Sequence, residues 1–346
     1  MKIKVPFPKN LKKEDKFLFE GRQDYTVTST KIKKINNVFI THEGLCLKNG
    51  FLVKNSHFNL SGKEDLTFYF DFWKLALEQY LVSSFGKSLV KQKLNDGNYL
   101  HVYTKWFGYF FWLTDILPKL IKTRNFHKEV KLIYPQAWEN ISFINETLSL
   151  FPHLKHEIIP SGNHLQVDNL LLPETRKWSN AIDPSELKTV REFMFEQLKA
   201  CQIDINLGER IFISRNKALR RKPVNNDALE KFVTEKGFTS VYMEDYSFLE
   251  QISIMKNAKL VMSLHGAGLA NTMFIKNNGA IIELSPKIKD KKLFRLPFWR
   301  LANAVEAKFF IQFCEYEEKD TSDLYNNDIF VDLKELEIVV DNLNNF

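Results

Sequence analysis

The sequence predicts an α/β protein built from two domains, and three observations support this prediction. The chain has 346 residues, of which 44% are hydrophobic, and this is enough for two domains of ordinary size. From residue 130 onwards, short apolar runs alternate with segments of helical periodicity, which predicts a mostly parallel sheet covered by helices on both faces. A polar break at residues 201–209 predicts the linker between the domains.

The predicted elements follow in chain order. Residues 25–60 contain the apolar runs 38–40, 44–47 and 51–53, which predict a small β-rich meander near the N-terminus. Residues 65–81 have apolar positions at helical spacing. Further strands are expected at residues 130–134, 157–159, 167–172, 210–214, 239–243, 260–264, 280–284 and 308–313. Further helices are expected at residues 138–150, 184–199, 227–235, 248–257, 269–275 and 330–343.

The net charge and the cysteine content indicate which partners and which cellular compartment to expect. The net charge of +7 favours an anionic partner such as a nucleotide, an anionic glycan or a membrane surface. No recognised nucleic-acid-binding module is visible, so we expect no nucleic acid partner. The three cysteines, Cys46, Cys201 and Cys314, are too far apart to predict a metal cluster or a disulfide framework. We therefore expect a reducing, cytoplasmic environment.

The N-terminal residues also favour a cytoplasmic location. Residues 1–6 contain no signal-peptide core, and no apolar run in the chain reaches the length of a membrane span. The basic stretch that follows contains Phe7, Phe17, Leu18 and Phe19. These side chains are candidates for peripheral contact with the inner face of the cell membrane. The alternative is that they pack against the protein or face solvent.

The most informative segment is residues 259–271, with the sequence KLVMSLHGAGLAN. An apolar run stops at His265, two glycines follow, and Leu269 opens a new apolar-periodic segment, which predicts a buried strand, a tight turn and a helix. The N–H groups and the dipole at such a helix start suit a phosphate or diphosphate. We expect Gly266 and Gly268 to allow close approach of the anion. The alternative is a plain turn in which both glycines serve packing.

Polar side chains end three of the predicted parallel strands, where ligands of such sheets bind. Arg215 is the first candidate for a bidentate diphosphate contact, beside Ser214, and Arg220 and Arg221 are further cations.

The next two strand ends add His265 and Glu283. We expect His265 to donate to a phosphate or to orient it. Glu283 is expected either to accept from ribose hydroxyls or to pair with a lysine such as Lys287. Ala267, Leu269 and Asn271 belong to the same turn, and Asn271 is a candidate phosphate contact or a helix surface residue.

An ordered series of motifs resembles glycosyltransferase family 61 between about residues 100 and 286. The matching segments are FFWLTDILPKL at residues 110–120, RIFISR at 210–215, ALRR at 218–221, SFLEQI at 247–252, HGAGLAN at 265–271 with Phe274, and GAIIE at 279–283.

The resemblance implies a GT-B type fold, with two Rossmann-like domains facing a cleft and a small β-rich N-terminal segment. It implies an acceptor-binding domain at residues 1–200 and a donor-binding domain at 201–320, and the pattern of the tail predicts a closing helix within residues 321–346. The implied reaction is an inverting transfer from a nucleotide-sugar donor to an oligosaccharide or lipid-linked glycan acceptor. Relatives of the bacterial type act in capsule or lipopolysaccharide assembly.

The same resemblance implies that no metal or other cofactor is required. The sequence agrees, because it contains no Asp-x-Asp, the common acidic anchor for a divalent cation at a sugar nucleotide. We therefore expect cations and backbone dipoles to stabilise the leaving diphosphate.

An inverting transfer needs a base for the acceptor hydroxyl, and Asp115 is our candidate. It follows an aromatic, apolar run that is expected to form a cleft wall. The alternative is an ordinary helix residue. Phe111 stands where the family often has a histidine, and His101 is a second, upstream base candidate.

Two other functions fit parts of the pattern. A dinucleotide-dependent oxidoreductase would use Gly266-x-Gly268 as a Rossmann fingerprint with Glu283 as the ribose acid, although the third glycine is absent. A nucleotide- or glycan-binding protein with a degenerate site is the other alternative, which Phe111 favours and the retained Arg215 opposes.

Overall fold

The computed structural model describes the chain except for residues 29, 54–55, 58–65, 86–90, 105–107, 127–128, 177–180, 318–319, 321–322 and 344–346. The chain forms two compact units. The middle unit is Val27–Asp183, and the terminal unit joins Met1–Thr26 to Pro184–Phe346.

Strands form the sheets of both units. In chain order they are β1 (Lys2–Lys4), β2 (Asp24–Thr26), β3 (Ile32–Ile40), β4 (Cys46–Lys48), β5 (Phe51–Leu52), β6 (Lys91–Leu94), β7 (Asn98–His101), β8 (Val130–Pro135), β9 (Leu154–Ile159), β10 (His164–Pro173), β11 (Arg210–Ile213), β12 (Thr239–Val241), β13 (Leu260–Leu264), β14 (Ala280–Pro286), β15 (Lys308–Tyr316) and β16 (Ile329–Phe330).

Helices connect and cover these strands. They are α1 (Leu66–Phe85), α2 (Tyr109–Phe111), which runs through a π-helical turn (Trp112–Ile116) into α3 (Leu117–Lys122), then α4 (Ser142–Ser149), α5 (Pro184–Ala200), α6 (Asn226–Glu235), α7 (Phe248–Asn257), α8 (Pro297–Ala304) and α9 (Leu333–Leu343). Short 3₁₀ helices lie at Lys13–Leu18, Thr123–Asn125, Gln136–Asn140, Met243–Asp245, Ala267–Phe274 and Leu324–Asn326. No helix in the described ranges combines the length and the apolar character that crossing a membrane requires.

The middle unit contains a mixed sheet with the strand order β5-β4-β3-β10-β7-β8-β9, and β6 also pairs with β10. Strands β10, β7, β8 and β9 run parallel to one another, whereas β3 is antiparallel to β10 and forms an antiparallel meander with β4 and β5. The meander predicted near the N-terminus is confirmed over the described residues. Its apolar side chains Phe39, Leu47 and Leu52 pack in one cluster with Phe72 and Ala76 of α1.

The terminal unit contains a sheet with the order β12-β11-β13-β14-β15-β16, in which all neighbours are parallel except the last pair. Every residue of β13 and β14 is buried, as expected for central parallel strands that are covered on both faces. The predicted alternation of strands and helices is therefore confirmed, and the chain is a mixed α/β protein.

The boundaries of the units differ from those expected at residues 200 and 320. Helix α5 belongs to the terminal unit because Arg191 donates to the carbonyl oxygens of Met273 and Ile275, the latter at 2.8 Å. At the other end, Leu336 and Val340 of α9 are fully buried in the core of the same unit. The first residues also join it, since the Lys9 N–H donates to the Phe309 carbonyl at 2.8 Å.

The helix expected at residues 269–275 is a 3₁₀ helix, Ala267–Phe274, rather than an α-helix. The Thr272 hydroxyl donates to the carbonyl of Leu269 at 2.6 Å, and Asn271 donates to the Gln251 side chain at 3.0 Å. These contacts hold the tighter turn against α7, and Leu269 to Phe274 are all buried.

Candidate functional site

The candidate site lies at the carboxyl ends of β11, β13 and β14 in the terminal unit. Ile213 of β11 pairs with Ser263 of β13, which pairs with Glu283 of β14. Because the strands are adjacent and parallel, the residues that follow them emerge at one edge of the sheet. The structure thus brings Arg215 and His265 to the same edge, with Glu283 buried beside them.

Arg215 is held in place by the loop that follows it. Its Nε donates to the carbonyl of Arg221 at 3.0 Å, and its Nη2 donates to the carbonyl of Arg220 at 3.0 Å. Nη1 forms no hydrogen bond with any described residue, and it lies 2.7 Å from where a Cβ atom on Gly266 would be. Burial lowers the pKa of the Arg215 guanidinium from its ordinary value. Arg215 therefore presents one nitrogen over a residue that has to lack a side chain.

Arg220 and Arg221 differ in their surroundings. Arg220 is exposed, whereas Arg221 is half-buried and donates from Nη2 to the Asn326 side chain at 3.2 Å. Arg221 has a φ of 60°, a conformation that is strained for a residue other than glycine. Burial is the main cause that lowers its pKa, and the neighbouring charges of Arg215 and Arg220 lower it further. Three guanidinium groups thus share one short loop and repel one another in the absence of an anion.

His265 is buried and bound to an acid. Its Nδ1 lies 2.5 Å from Oε1 of Glu283, and the two side chains are 7% and 4% exposed. The ring also contacts Tyr325 and Phe298, with ring centroids 4.2 Å and 5.0 Å away. Within the described residues, Nε2 has no hydrogen-bond partner, so it is the ring nitrogen left for a ligand. Glu283 contacts His265 rather than Lys287, which pairs with Glu315 at 2.8 Å.

Ser214 is buried and engaged in a network of its own. Its hydroxyl lies 2.6 Å from Oε1 of Glu230, and Ser240 donates to the other carboxylate oxygen. The Asn216 N–H contacts the Ser214 hydroxyl at 3.3 Å. Ser214 therefore shapes the start of the arginine-bearing loop.

The two glycines of the turn have different surroundings. A Cβ atom on Gly268 would lie 3.1 Å from Cγ2 of Ile213, and neither glycine has a φ in the left-handed region that favours glycine. Gly268 is thus packed against strand β11. Gly266, rather than Gly268, is the glycine whose missing side chain makes room for a charged group.

The remaining turn residues divide between surface and core. Ala267 is exposed at the first position of the 3₁₀ helix, where the opening N–H groups have no partner within the helix. Leu269 and Asn271 are both fully buried. The Asn271 amide contacts Gln251, so it anchors the 3₁₀ helix rather than lying on its surface.

Asp115 lies in the π-helical turn of the middle unit, and its surroundings are cationic rather than apolar as expected. Oδ2 lies 2.8 Å from Nζ of Lys119, and Oδ1 lies 3.7 Å from Nε of Arg176. Asp115 and Lys119 are only 7% and 2% exposed. The carboxylate is therefore part of a buried ion pair, in which charge attraction offsets the cost of desolvation.

His101 and Phe111, which the sequence analysis considered together with Asp115, both pack against other residues of the middle unit. His101 is buried, its Nε2 lies 2.9 Å from the Gly44 carbonyl, and burial lowers its pKa to about 4. It is thus a neutral core histidine. Phe111 is half-buried and contacts Phe110, with ring centroids 5.5 Å apart.

No set of three or more histidine, cysteine or acidic side chains comes together as a candidate metal centre in the described part of the chain. The charged groups at the strand ends are instead mainly cations.

The sequence model of a known family matches residues 109–282, which is half of the chain. The match runs from helix α2 to the residue before Glu283 and includes Asp115, Arg215 and the segment from His265 to Asn271. The model describes glycosyltransferase 61. The chain belongs to the glycosyltransferase 61 family.

Curated relatives of this glycosyltransferase 61 chain carry the name protein O-linked-mannose β-1,4-N-acetylglucosaminyltransferase 2. The human protein is 21% identical over 223 residues, which cover 58% of this chain and 37% of the relative. The Xenopus laevis protein is 27% identical over 224 residues, with the same coverage. The chain thus spans little more than a third of the length of these relatives.

Sequence reasoning missed the residues that position this glycosyltransferase 61 site from a distance. Tyr325 and Phe298 pack on His265, and Glu230 binds Ser214. No local motif marks these residues, because each comes from a different element. The odd position of Glu283 in an otherwise apolar strand was the one signal that pointed to a buried partner.

Proposed function

We propose that this protein is a glycosyltransferase that takes its sugar from a nucleotide-sugar donor. Membership of the glycosyltransferase 61 family supports the general activity. The observation that carries the finer proposal is the position of Arg215, whose Nη1 lies over Gly266 at the strand ends beside His265. A cation beside exposed N–H groups at a helix start is a suitable arrangement for a diphosphate.

In this proposal Arg215 is the main contact of the donor diphosphate. Its Nε and Nη2 are fixed by two backbone carbonyls, which leaves Nη1 for a phosphate oxygen. Gly266 allows the anion to approach the backbone, and the turn through Ala267 and Gly268 adds N–H groups. Arg220 and Arg221 contribute positive charge from the same loop. An anion in this place would also relieve the mutual repulsion of the three arginines.

His265 is proposed as the group that contacts the leaving phosphate. Its Nδ1 is taken by Glu283, so Nε2 is the atom that donates to or orients the phosphate oxygen. Glu283 then acts as a positioning residue for the imidazole rather than as a contact of the ribose. Such a carboxylate fixes the tautomer and orientation of a histidine ring.

The proposed transfer is inverting and independent of a metal ion. A bond forms between the acceptor oxygen and the anomeric carbon while the bond from that carbon to the phosphate oxygen breaks. The nucleoside diphosphate leaves with the bonding electrons, and the acceptor proton passes to a base. Support for metal independence comes from the absence of Asp-x-Asp in the sequence and from the arginine-rich loop.

Asp115 is proposed to stabilise the middle unit rather than to act as that base. Its carboxylate is bound to Lys119 at 2.8 Å, and a carboxylate held by a buried cation is poorly placed to accept a substrate proton. His101 is excluded as a substitute by its contact with Gly44 and its burial.

The arrangement of the two units as a GT-B enzyme remains part of the proposal, with the acceptor on the middle unit and the donor on the terminal unit. Support comes from the parallel strands that each unit contains. The acceptor is proposed to be an oligosaccharide or a lipid-linked glycan. Its assignment to bacterial capsule or lipopolysaccharide assembly, and a cytoplasmic location, rest on the sequence resemblance and composition alone.

Peripheral membrane contact would involve two of the four candidate side chains near the N-terminus. Of the four candidate side chains, Leu18 and Phe19 are buried, and Phe19 packs on Phe294 and Trp299. Phe17 remains exposed and Phe7 is half-buried, so only these two could reach a membrane surface.

Incubation with a panel of sugar nucleotides tests the proposed function. The panel includes nucleotide-activated N-acetylglucosamine, because the curated relatives are named for transfer of that sugar. We expect slow hydrolysis of one donor without acceptor, and transfer when a glycan is added. Binding of NAD(P) would favour the oxidoreductase alternative instead. Binding of a donor without any turnover would favour a degenerate binding protein.

A further inference from the structure

The middle unit contains a pocket of about 420 Å³ at the carboxyl ends of three adjacent parallel strands. Tyr103 and Thr104 follow β7, Gln136 follows β8, and Pro160 follows β9, and all four line the pocket. Ligands of α/β sheets bind at this edge, and the volume is within the range of small-molecule sites. All the described residues that line the pocket belong to the middle unit.

The rim of the pocket is a rigid loop between β3 and β4 that carries His42 and Glu43. Thr41 closes this loop, because its N–H donates to the Leu45 carbonyl at 2.9 Å and its hydroxyl accepts from the Leu45 N–H at 3.0 Å. The His42 N–H contacts Nδ1 of His164 at 3.2 Å. The two rim side chains are therefore presented by a backbone that is already ordered.

Gly44 fixes the same loop against the floor of the pocket. Its φ of +85° favours glycine, and a Cβ atom there would lie 2.7 Å from the Tyr103 ring. His101 contacts the Gly44 carbonyl at 2.9 Å. The loop and the Tyr103 ring are thus packed as one piece, which is the kind of preorganisation that binding sites need.

The lining of the pocket selects a neutral ligand. Glu43 is its one carboxylate, and no lysine or arginine is among the described residues that line it. A phosphate would be repelled there, in contrast to the arginine-rich loop of the terminal unit. Tyr103, Pro135 and Ile159 supply apolar faces, while Glu43 and Gln136 supply polar groups. Apolar faces beside a few hydrogen-bonding groups suit the C–H face and the hydroxyls of a sugar ring.

The Tyr103 hydroxyl lies beneath the floor of the pocket rather than in it. It is buried and has no hydrogen-bond partner among the described residues, so a molecule in the pocket does not reach it. Tyr103 as a whole is only 2% exposed, and burial raises the pKa of its hydroxyl. Tyr103 therefore contributes apolar surface, and not its hydroxyl, to the lining of the pocket.

We infer that this pocket binds one neutral sugar residue of the glycan acceptor, with Glu43 as the specificity-determining contact. The inference rests on the proposed function for its choice of ligand. Glu43 accepts hydrogen bonds from sugar hydroxyls, and Tyr103 contributes apolar surface to the floor. His42 and Gln136 border the same space.

Binding of neutral sugars tests the inference directly. Saturation-transfer NMR of the whole chain with methyl glycosides of neutral hexoses and N-acetylhexosamines should detect at least one ligand. Glu43→Gln should weaken it by about 10- to 100-fold. Glu43 is only half-buried, so the unfolding temperature of Glu43→Gln should stay that of the wild type, and lost binding would not reflect lost folding. The matched control is Glu129→Gln, an exposed acid of the same unit that pairs with Lys155.

The failure of this inference can be told apart from the failure of the proposed function. No bound sugar in the panel, or equal affinity in wild type and Glu43→Gln, would overturn the pocket assignment even if donor hydrolysis is observed. Sugar binding that depends on Glu43 would support the pocket even if no sugar nucleotide is hydrolysed. In transfer assays Glu43→Gln should raise the acceptor KM about tenfold or more.

Discussion

Nη1 of Arg215 lies 2.7 Å from the position that a Cβ atom on Gly266 would take. The distance is shorter than any real contact of a Cβ atom, so the arginine can occupy this position only because residue 266 is a glycine. The two residues are 51 positions apart in the sequence and meet because β11 and β13 are neighbours. This relationship links the strongest sequence motif to the strongest candidate for binding an anion.

Gly266→Ala is expected to weaken binding of a nucleoside diphosphate by about 10- to 100-fold, because the added methyl group displaces the Arg215 guanidinium. Titration calorimetry measures the change. Gly268→Ala is the matched control, since its Cβ would meet Cγ2 of Ile213 at 3.1 Å and no charged group. Equal losses of affinity in the two variants would show that the turn acts only through packing.

Glu283→Gln is expected to lower kcat by about 10- to 100-fold and to leave the affinity for a nucleoside diphosphate nearly unchanged. The amide keeps the shape of the side chain but removes the charge that holds Nδ1 of His265. Steady-state kinetics and calorimetry separate the two effects, and Glu315→Gln, at an exposed ion pair, serves as the control. A large loss of nucleotide affinity without a change in kcat would instead support a contact between Glu283 and the ribose.

Asp115→Asn is expected to lower the free energy of unfolding by about 3–5 kcal/mol, because it leaves the buried Lys119 without its partner. The double variant Asp115→Asn/Lys119→Met should be more stable than the single variant. Denaturant unfolding measures both, and Asp96→Asn, at an exposed ion pair with Lys131, should have little effect. If Asp115→Asn keeps wild-type stability and loses only turnover, Asp115 is the acceptor base after all.

The stability of the protein is expected to fall as the pH is lowered from about 6.5 to about 4. Burial lowers the pKa of His101 to about 4, whereas the unfolded chain binds this proton near pH 6.5. Between about pH 6.5 and about pH 4 the unfolded chain therefore binds more protons at His101 than the folded chain does. The contribution of the neutral His101 to the stability of the fold is complete only above about pH 6.5. For His101 the effect is on the order of 3 kcal/mol.

His101→Gln should reduce this loss of stability, since glutamine can still donate to the Gly44 carbonyl but does not titrate. Thermal unfolding at a series of pH values measures this dependence of stability on pH. Burial also lowers the pKa of the exposed His153, but less than that of His101, so His153→Gln should reduce the loss of stability less than His101→Gln does. The account of His101 would be wrong if both variants followed the wild-type curve.

The central strands and one helix could be predicted from the sequence almost residue by residue. Strand β13 and helix α7 have the expected bounds. The strand is a run of apolar residues, and the residue before the helix, Ser247, forms a capping box with Glu250. In both cases the signal is local, so the sequence of the segment itself is sufficient to predict its bounds.

The features that the sequence did not predict depend on contacts between segments that are distant in the chain. Helix α8 is short and was not predicted, although Phe298 within it packs on His265. The cationic surroundings of Asp115 include Arg176, which follows 61 residues later. No periodicity reports such a pairing, so the aromatic residues around Asp115 predicted an apolar wall that the fold does not provide.

Calorimetric titration of the whole chain with nucleoside diphosphates in excess EDTA tests the central claim most directly. We expect at least one of them to bind without added metal, and Arg215→Gln to weaken that binding by about 10- to 100-fold. Lys231→Gln, at an exposed ion pair of the same unit, should bind as the wild type does. Binding that is restored only by Mg²⁺ or Mn²⁺, or that survives Arg215→Gln unchanged, would contradict the account.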